Sequence, residues 1–150
     1  MLHNIIKGSA VCERMIGHVY YLLSRLAKAD SQERVVLAGL AQEEKEHANT
    51  LLEIMDHLPE KLEGYDYSAI IDYQTEFMAR LVLIQEDLED DIDWIDVYQK
   101  LESLEGSLAD NLLTHLKLVL TDEHKSKANK LSDESATHAT RIHALIEARV

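Results

Sequence analysis

Pro59 is the only proline in 150 residues, and on either side of it apolar residues return at intervals of three and four. That spacing draws an apolar stripe along one face of a helix, and a chain with so few breakers has little else to fold into. From Ile5 to about Lys28 the stripe includes Ile6, Ala10, Ile16, Val19, Tyr20, Leu23 and Leu26. Asp30 followed by Glu33 predicts a capped start for a second helix that runs to about His57. Segment 57–67, holding Pro59 and Gly64, predicts a break, and 68–80 a short connecting helix. A third long helix is expected over roughly 81–104, a turn at 104–110, and a fourth helix from Ser107 to Asp133 with a short helix after it. No segment alternates with period two for long enough to make a strand. The expected fold is all-α: a four-helix bundle of two hairpins joined by a crossover, plus a short C-terminal helix, in one domain spanning 1–150.

The second helix carries two residues that its own pattern does not explain. Glu44 and His47 fall where Leu37, Leu40, Leu51 and Ile54 demand hydrophobes. A buried carboxylate costs several kcal/mol unless something pairs with it. Residues three apart lie on one helix face, about 4.5 Å apart along the axis, so both can reach one cation. Glu13 interrupts the stripe of the first helix in the same way.

The second half of the chain invites an overlay on the first. Glu13, Tyr20 and "EEKEHA" at 43–48 align with Asp91, Tyr98 and "EHKSKA" at 123–128. Glu13 to Glu44 spans 31 residues and Asp91 to His124 spans 33. The predicted stripe Leu113, Leu116, Leu120 and Leu131 is interrupted at His124 and Lys127. Each long helix would then send a polar residue inward at a comparable level, which is how a bundle builds a metal site.

Glu44-x-x-His47 with Glu13 resembles the first half of the ferritin-like di-iron carboxylate fold, and the wording "EEKEHA" resembles its rubrerythrin branch. The resemblance covers essentially the whole chain. It implies one single Glu and one Glu-x-x-His from each hairpin, with two irons between them. Asp91, His124 and Lys127 depart from that pattern, since a charged lysine has donors only and cannot ligate. The expected ligands are therefore Glu13, Glu44, His47, His124 and Asp91, binding one or two iron ions or another divalent metal. Lys127 is expected to fill the place and the charge of the second metal. Glu123 in place of His124 would keep room for two. Without metal, the same carboxylates would pair with Lys127 and protonated histidines in a buried salt-bridge network. Tyr20 and Tyr98 either hydrogen-bond a ligating carboxylate, as the resemblance implies, or simply fill core.

The resemblance further implies an oxidoreductase acting on peroxide or dioxygen. The alternatives are a metal-handling protein without turnover and a metal-free bundle acting through its surfaces. The family's usual donor, an attached rubredoxin domain with two CxxC motifs, has no counterpart here. Cys12 is the only cysteine, so an electron donor would be a separate protein. A formal net charge of −13, from 28 acidic and 15 basic residues, repels nucleic acid and anionic membrane and attracts cations. With no signal peptide legible and no apolar run longer than "LVLI" at 81–84, a cytoplasmic protein is expected. A homo-oligomer, a dimer through 68–80 and the C-terminal helix, is the expected assembly.

Overall fold

The computed structural model describes residues 1–60, 63, 64, 66–108, 114, 117, 118 and 120–150. Among them are five helices and no strand: α1 Leu2–Leu26, α2 Gln32–Asp56, α3 Ser68–Asp87, α4 Trp94–Ser107 and α5 Asp122–Arg149.

Helices α1 and α2 form an antiparallel hairpin whose facing stripes are buried, with Ile16, Val19, Leu23, Leu37, Leu40 and Leu51 in the core. The turn between them differs from expectation by one residue. Ser31 is the cap of α2, its hydroxyl accepting from Arg34 N at 3.2 Å. Asp30 instead takes the left-handed conformation, φ 61°, that the turn requires. Arg34 closes the other side of the turn, donating to the carbonyls of Arg25 and Ala27 at the end of α1 at 3.1 and 2.8 Å.

The expected crossover is itself a helix. Gln74 on α3 donates to the Ile5 carbonyl and to Ser9 Oγ on α1, at 2.7 and 3.0 Å. At the other end Gln85 and Leu88 line one recess with Leu22 and Leu26, so α3 runs parallel to α1 and returns the chain to the end where α2 began. Helix α4 then descends, held to α3 by Ser107 Oγ donating to Tyr73 Oη at 2.8 Å. Helix α5 climbs beside it, antiparallel to both α4 and α2. The ion pairs Glu33–Arg149 and Glu43–Arg141 mark its register on α2.

Three boundaries correct the sequence reading. Residues 68–87 are one helix, not a short connector followed by the start of a third helix. The break comes at 88–93, inside "EDLEDDID", where six of eight residues are acidic. Like charges three and four apart destabilise a helix, and aspartate favours its start over its interior. Asp93 caps α4, accepting from Asp96 N at 3.1 Å. The expected turn at 104–110 is helical as far as Ser107. Finally, the C-terminal helix is not separate: α5 is continuous over 28 residues, because no breaker lies between Asp133 and Ala139. Leu113 and Leu116, expected on the fourth stripe, lie outside the described residues. Among the described residues no helix is long and apolar enough to cross a membrane.

Candidate metal centre

Glu13 on α1, Glu44 and His47 on α2, Glu105 on α4 and His138 on α5 meet in the middle of the bundle. All are buried: the three carboxylates and His138 show no exposed surface, and His47 is 2 % exposed. Helix periodicity puts them there. On α4 Glu105 follows Tyr98 and Leu101 at intervals of three and four. On α5 Ala128, Leu131, Ser135, His138, Ile142 and Leu145 continue one buried stripe.

The geometry is nearly symmetrical about Glu44. His138 Nδ1 hydrogen-bonds Glu44 Oε1 at 2.5 Å and lies 3.6 Å from Glu105 Oε1. His47 Nδ1 lies 3.6 Å from Glu44 Oε2 and 3.8 Å from Glu13 Oε2. The two imidazoles stack, with centroids 5.1 Å apart and planes 13° apart. Ligand atoms of Glu44, His47 and His138 all lie within 4.8 Å of one another, a group that could hold a metal ion. Each ring turns its other nitrogen outward to a carboxylate: His47 Nε2 bonds Glu134 Oε2 at 2.6 Å, and His138 Nε2 lies 3.8 Å from Glu43 Oε2. Outer carboxylates of this kind orient imidazole ligands and raise their basicity.

The interior is short of hydrogens. Glu13 Oε1 and Oε2, Glu44 Oε2, Glu105 Oε2 and His47 Nδ1 are buried without a hydrogen-bond partner among the described residues. Tyr20 supplies one donor, its hydroxyl reaching Glu105 Oε1 at 2.6 Å. Burial, and then the Glu105 and Glu13 charges, push the Glu44 carboxyl well above its ordinary value. Burial and the Glu105 and Glu44 charges push the Tyr20 phenol up as well. Burial works against a charge on His47, but the Glu13 and Glu134 carboxylates outweigh it and raise the ring's value. A divalent cation fits this set. Three carboxylates and two imidazoles form a hard-to-borderline donor group, and five inward atoms want a positive charge they do not have. Cys12 is outside the set, and burial lifts its thiol to about 12, so it stays protonated.

Of the expected site residues, Glu13, Glu44, His47 and Tyr20 come together. Asp91 and Lys127 do not: both are exposed, Asp91 in the acidic loop before α4 and Lys127 on the outer face of α5. Lys127 therefore cannot stand in for a second cation. His124 is buried, but near the start of α5, stacked on His57 with centroids 5.6 Å apart. It lies 14 residues from His138, about 21 Å along the helix. Glu123 is exposed. Tyr98 packs against Trp94 two turns from Glu105, where burial beside Glu33 raises its phenol. The residues that sequence reasoning missed are Glu105, His138 and the outer Glu134. The counterpart of Glu44-x-x-His47 in the second half is Ser135-x-x-His138, with Ser135 Oγ buried and without a hydrogen-bond partner among the described residues. Comparison with protein-family models, curated proteins and solved structures returns no match.

Proposed function

We propose that this chain is a ferritin-like non-haem metal protein that holds two divalent ions, iron first, and acts as a rubrerythrin-like oxidoreductase on peroxide or dioxygen. The observation that carries the reading is the convergence of buried, unpartnered oxygen and nitrogen atoms from Glu13, Glu44, His47 and Glu105, beside His138. Glu13 with His47 would hold one ion, Glu105 with His138 the other, and Glu44 would lie between them. Bound as a pair, ferrous ions supply the two electrons that reduction of peroxide to water consumes. The chain's own groups do the rest. Tyr20 fixes the rotamer of Glu105 by its hydrogen bond. Leu40 and Leu51, one turn either side on α2, keep bulk water from the carboxylates. Glu134 is 37 % exposed and bonded to His47 Nε2, so it links the buried cluster to solvent and can pass a proton to or from that nitrogen. Electrons would come from a separate donor protein.

Elemental analysis before and after anaerobic ferrous loading tests the first part, with about two irons per chain expected. Peroxide consumption by the loaded protein with a chemical reductant tests the second. The other reading, a metal-free bundle acting through its surfaces, draws on the short His138–Glu44 and His47–Glu134 hydrogen bonds. Zero metal under both conditions would choose it.

A further inference from the structure

Behind the cage, on the solvent side of α1 and α2, lies a groove of about 620 Å³. Its four charged lining residues are all cations: Arg14 and Arg25 on α1, Arg34 and Lys45 on α2. None of the ion pairs found for lysine and arginine among the described residues engages any of them. That is an unusual concentration on a chain of net charge −13. Each helix also carries an outward stripe at intervals of three and four: Val11, Arg14, His18, Tyr21 and Arg25 on α1, Val35, Ala38, Gln42 and Lys45 on α2. Tyr21 is 51 % and Val35 62 % exposed. A seam of that period with apolar knobs is built to be covered.

The same molecule carries a complement. The loop between α3 and α4 and its flanks gather Glu86, Asp87, Asp90, Asp91, Asp93 and Asp96 around one cleft. Lys100 answers only Asp87 and Asp96. The groove runs from the level of the cage, at Arg14 and Lys45, to the end of the bundle that carries the acidic loop, where Arg25 also lines the recess that holds Glu89. Two copies related by a two-fold axis near that end would each present the acidic loop to the other's groove, closing two identical contacts at once. Groove against groove would set four cations against four.

We propose that a second copy of this chain occupies the α1/α2 groove, its acidic 86–96 loop meeting Arg14, Arg25, Arg34 and Lys45. The inference is independent of any metal in the core.

Sedimentation velocity on the intact chain tests it, with charge reversals at exposed positions that leave Arg34 in place, since Arg34 caps α1. Wild type should sediment as a dimer of the 17.1 kDa chain, and raising salt from about 50 mM to about 200 mM should weaken it. R14E/K45E and D90K/D91K should each raise the dimer Kd at least about tenfold, with circular dichroism and metal content unchanged. Mixing the two variants should restore a heterodimer, because one contact is then the native one and the other matches with its charges exchanged. A wild type that stays monomeric to about 100 µM, a typical weak-association range, would overturn the proposal. So would a dimer indifferent to R14E/K45E, which would place the interface elsewhere, or a mixture that fails to recover.

Discussion

In chelator, raising the pH should destabilise the protein steeply, and the buried cage sets the slope. Burial and the two neighbouring carboxylates hold the Glu44 carboxyl well above its ordinary 4.5, and Glu13 and Glu134 hold His47 above 6.5. Both groups keep, in the folded state, a proton that the unfolded chain has already released. Stability then falls with pH, by about 1.4 kcal/mol per unit for each proton so retained. Glu44's share is present in full below its unfolded value and is lost as the pH rises from there through its folded value. His47 contributes fully below 6.5, and its share is lost as the pH climbs through the folded value. For a chain of this length each kcal/mol moves the melting temperature about 2–4 °C, so one retained proton lowers Tm by about 3–6 °C per pH unit. Thermal unfolding followed by circular dichroism in chelator, from pH 5 to pH 8, reads the slope. Glu44→Gln, which keeps the shape and removes the titration, should flatten it by about one proton and so separates the cage from general repulsion in an acidic chain. Returning a divalent ion at pH 8 should raise Tm, because metal takes the place of the protons. A chelated wild type whose Tm is flat or rises with pH, or a Glu44→Gln variant with an unchanged slope, would refute the reasoning.

Three further outcomes follow from the same contacts. His138→Ala should lower the metal bound per chain, whereas Lys127→Ala and Asp91→Ala should leave it unchanged, as elemental analysis after anaerobic loading will read. Tyr20→Phe removes the one hydroxyl that bonds Glu105 among the described residues and should cost about 1.5–3 kcal/mol in urea unfolding of the metal-free protein. Ser135→Glu adds a fourth carboxylate where the second hairpin lacks one. The metal-free form should lose several kcal/mol from the unpaired charge, while the loaded form should bind its ions more tightly than wild type in a chelator competition.

The first hairpin was legible because its polar residues break an otherwise regular apolar stripe: Glu13, Glu44 and His47 stand among Ile, Leu and Ala at unbroken spacing. The second was misread through one boundary. "LEGSLAD" has the glycine and serine of a turn, yet Gly106 sits within α4 with open space around it, and the real break is a stretch of aspartates with neither glycine nor proline. Placing the turn late made Glu105 a loop residue and moved the overlay to Asp91. The correct register was available in two features. Tyr98, Leu101 and Glu105 form one stripe, and Leu131, Ser135, His138 and Ile142 another. Glu105 to Ser135 spans 30 residues, against 31 from Glu13 to Glu44. Ser135 hid the match, because a serine on a core stripe reads as filler. Glu134 was not legible at all, since its role depends on which face of α5 meets His47.

The cage draws its side chains from both ends of the sequence: Glu13, Glu44 and His47 from the first hairpin, Glu105 and His138 from the second, with the whole of α3 between them. An ion seated there would tie the halves together as a cross-link does, closing a loop of nearly sixty residues between His47 and Glu105. By the arithmetic used for disulfides, that closure removes about 4 kcal/mol of chain entropy from the unfolded state. A backbone cut in the 57–67 connection would leave two fragments that a loaded core still holds as one body, and that chelation would set free.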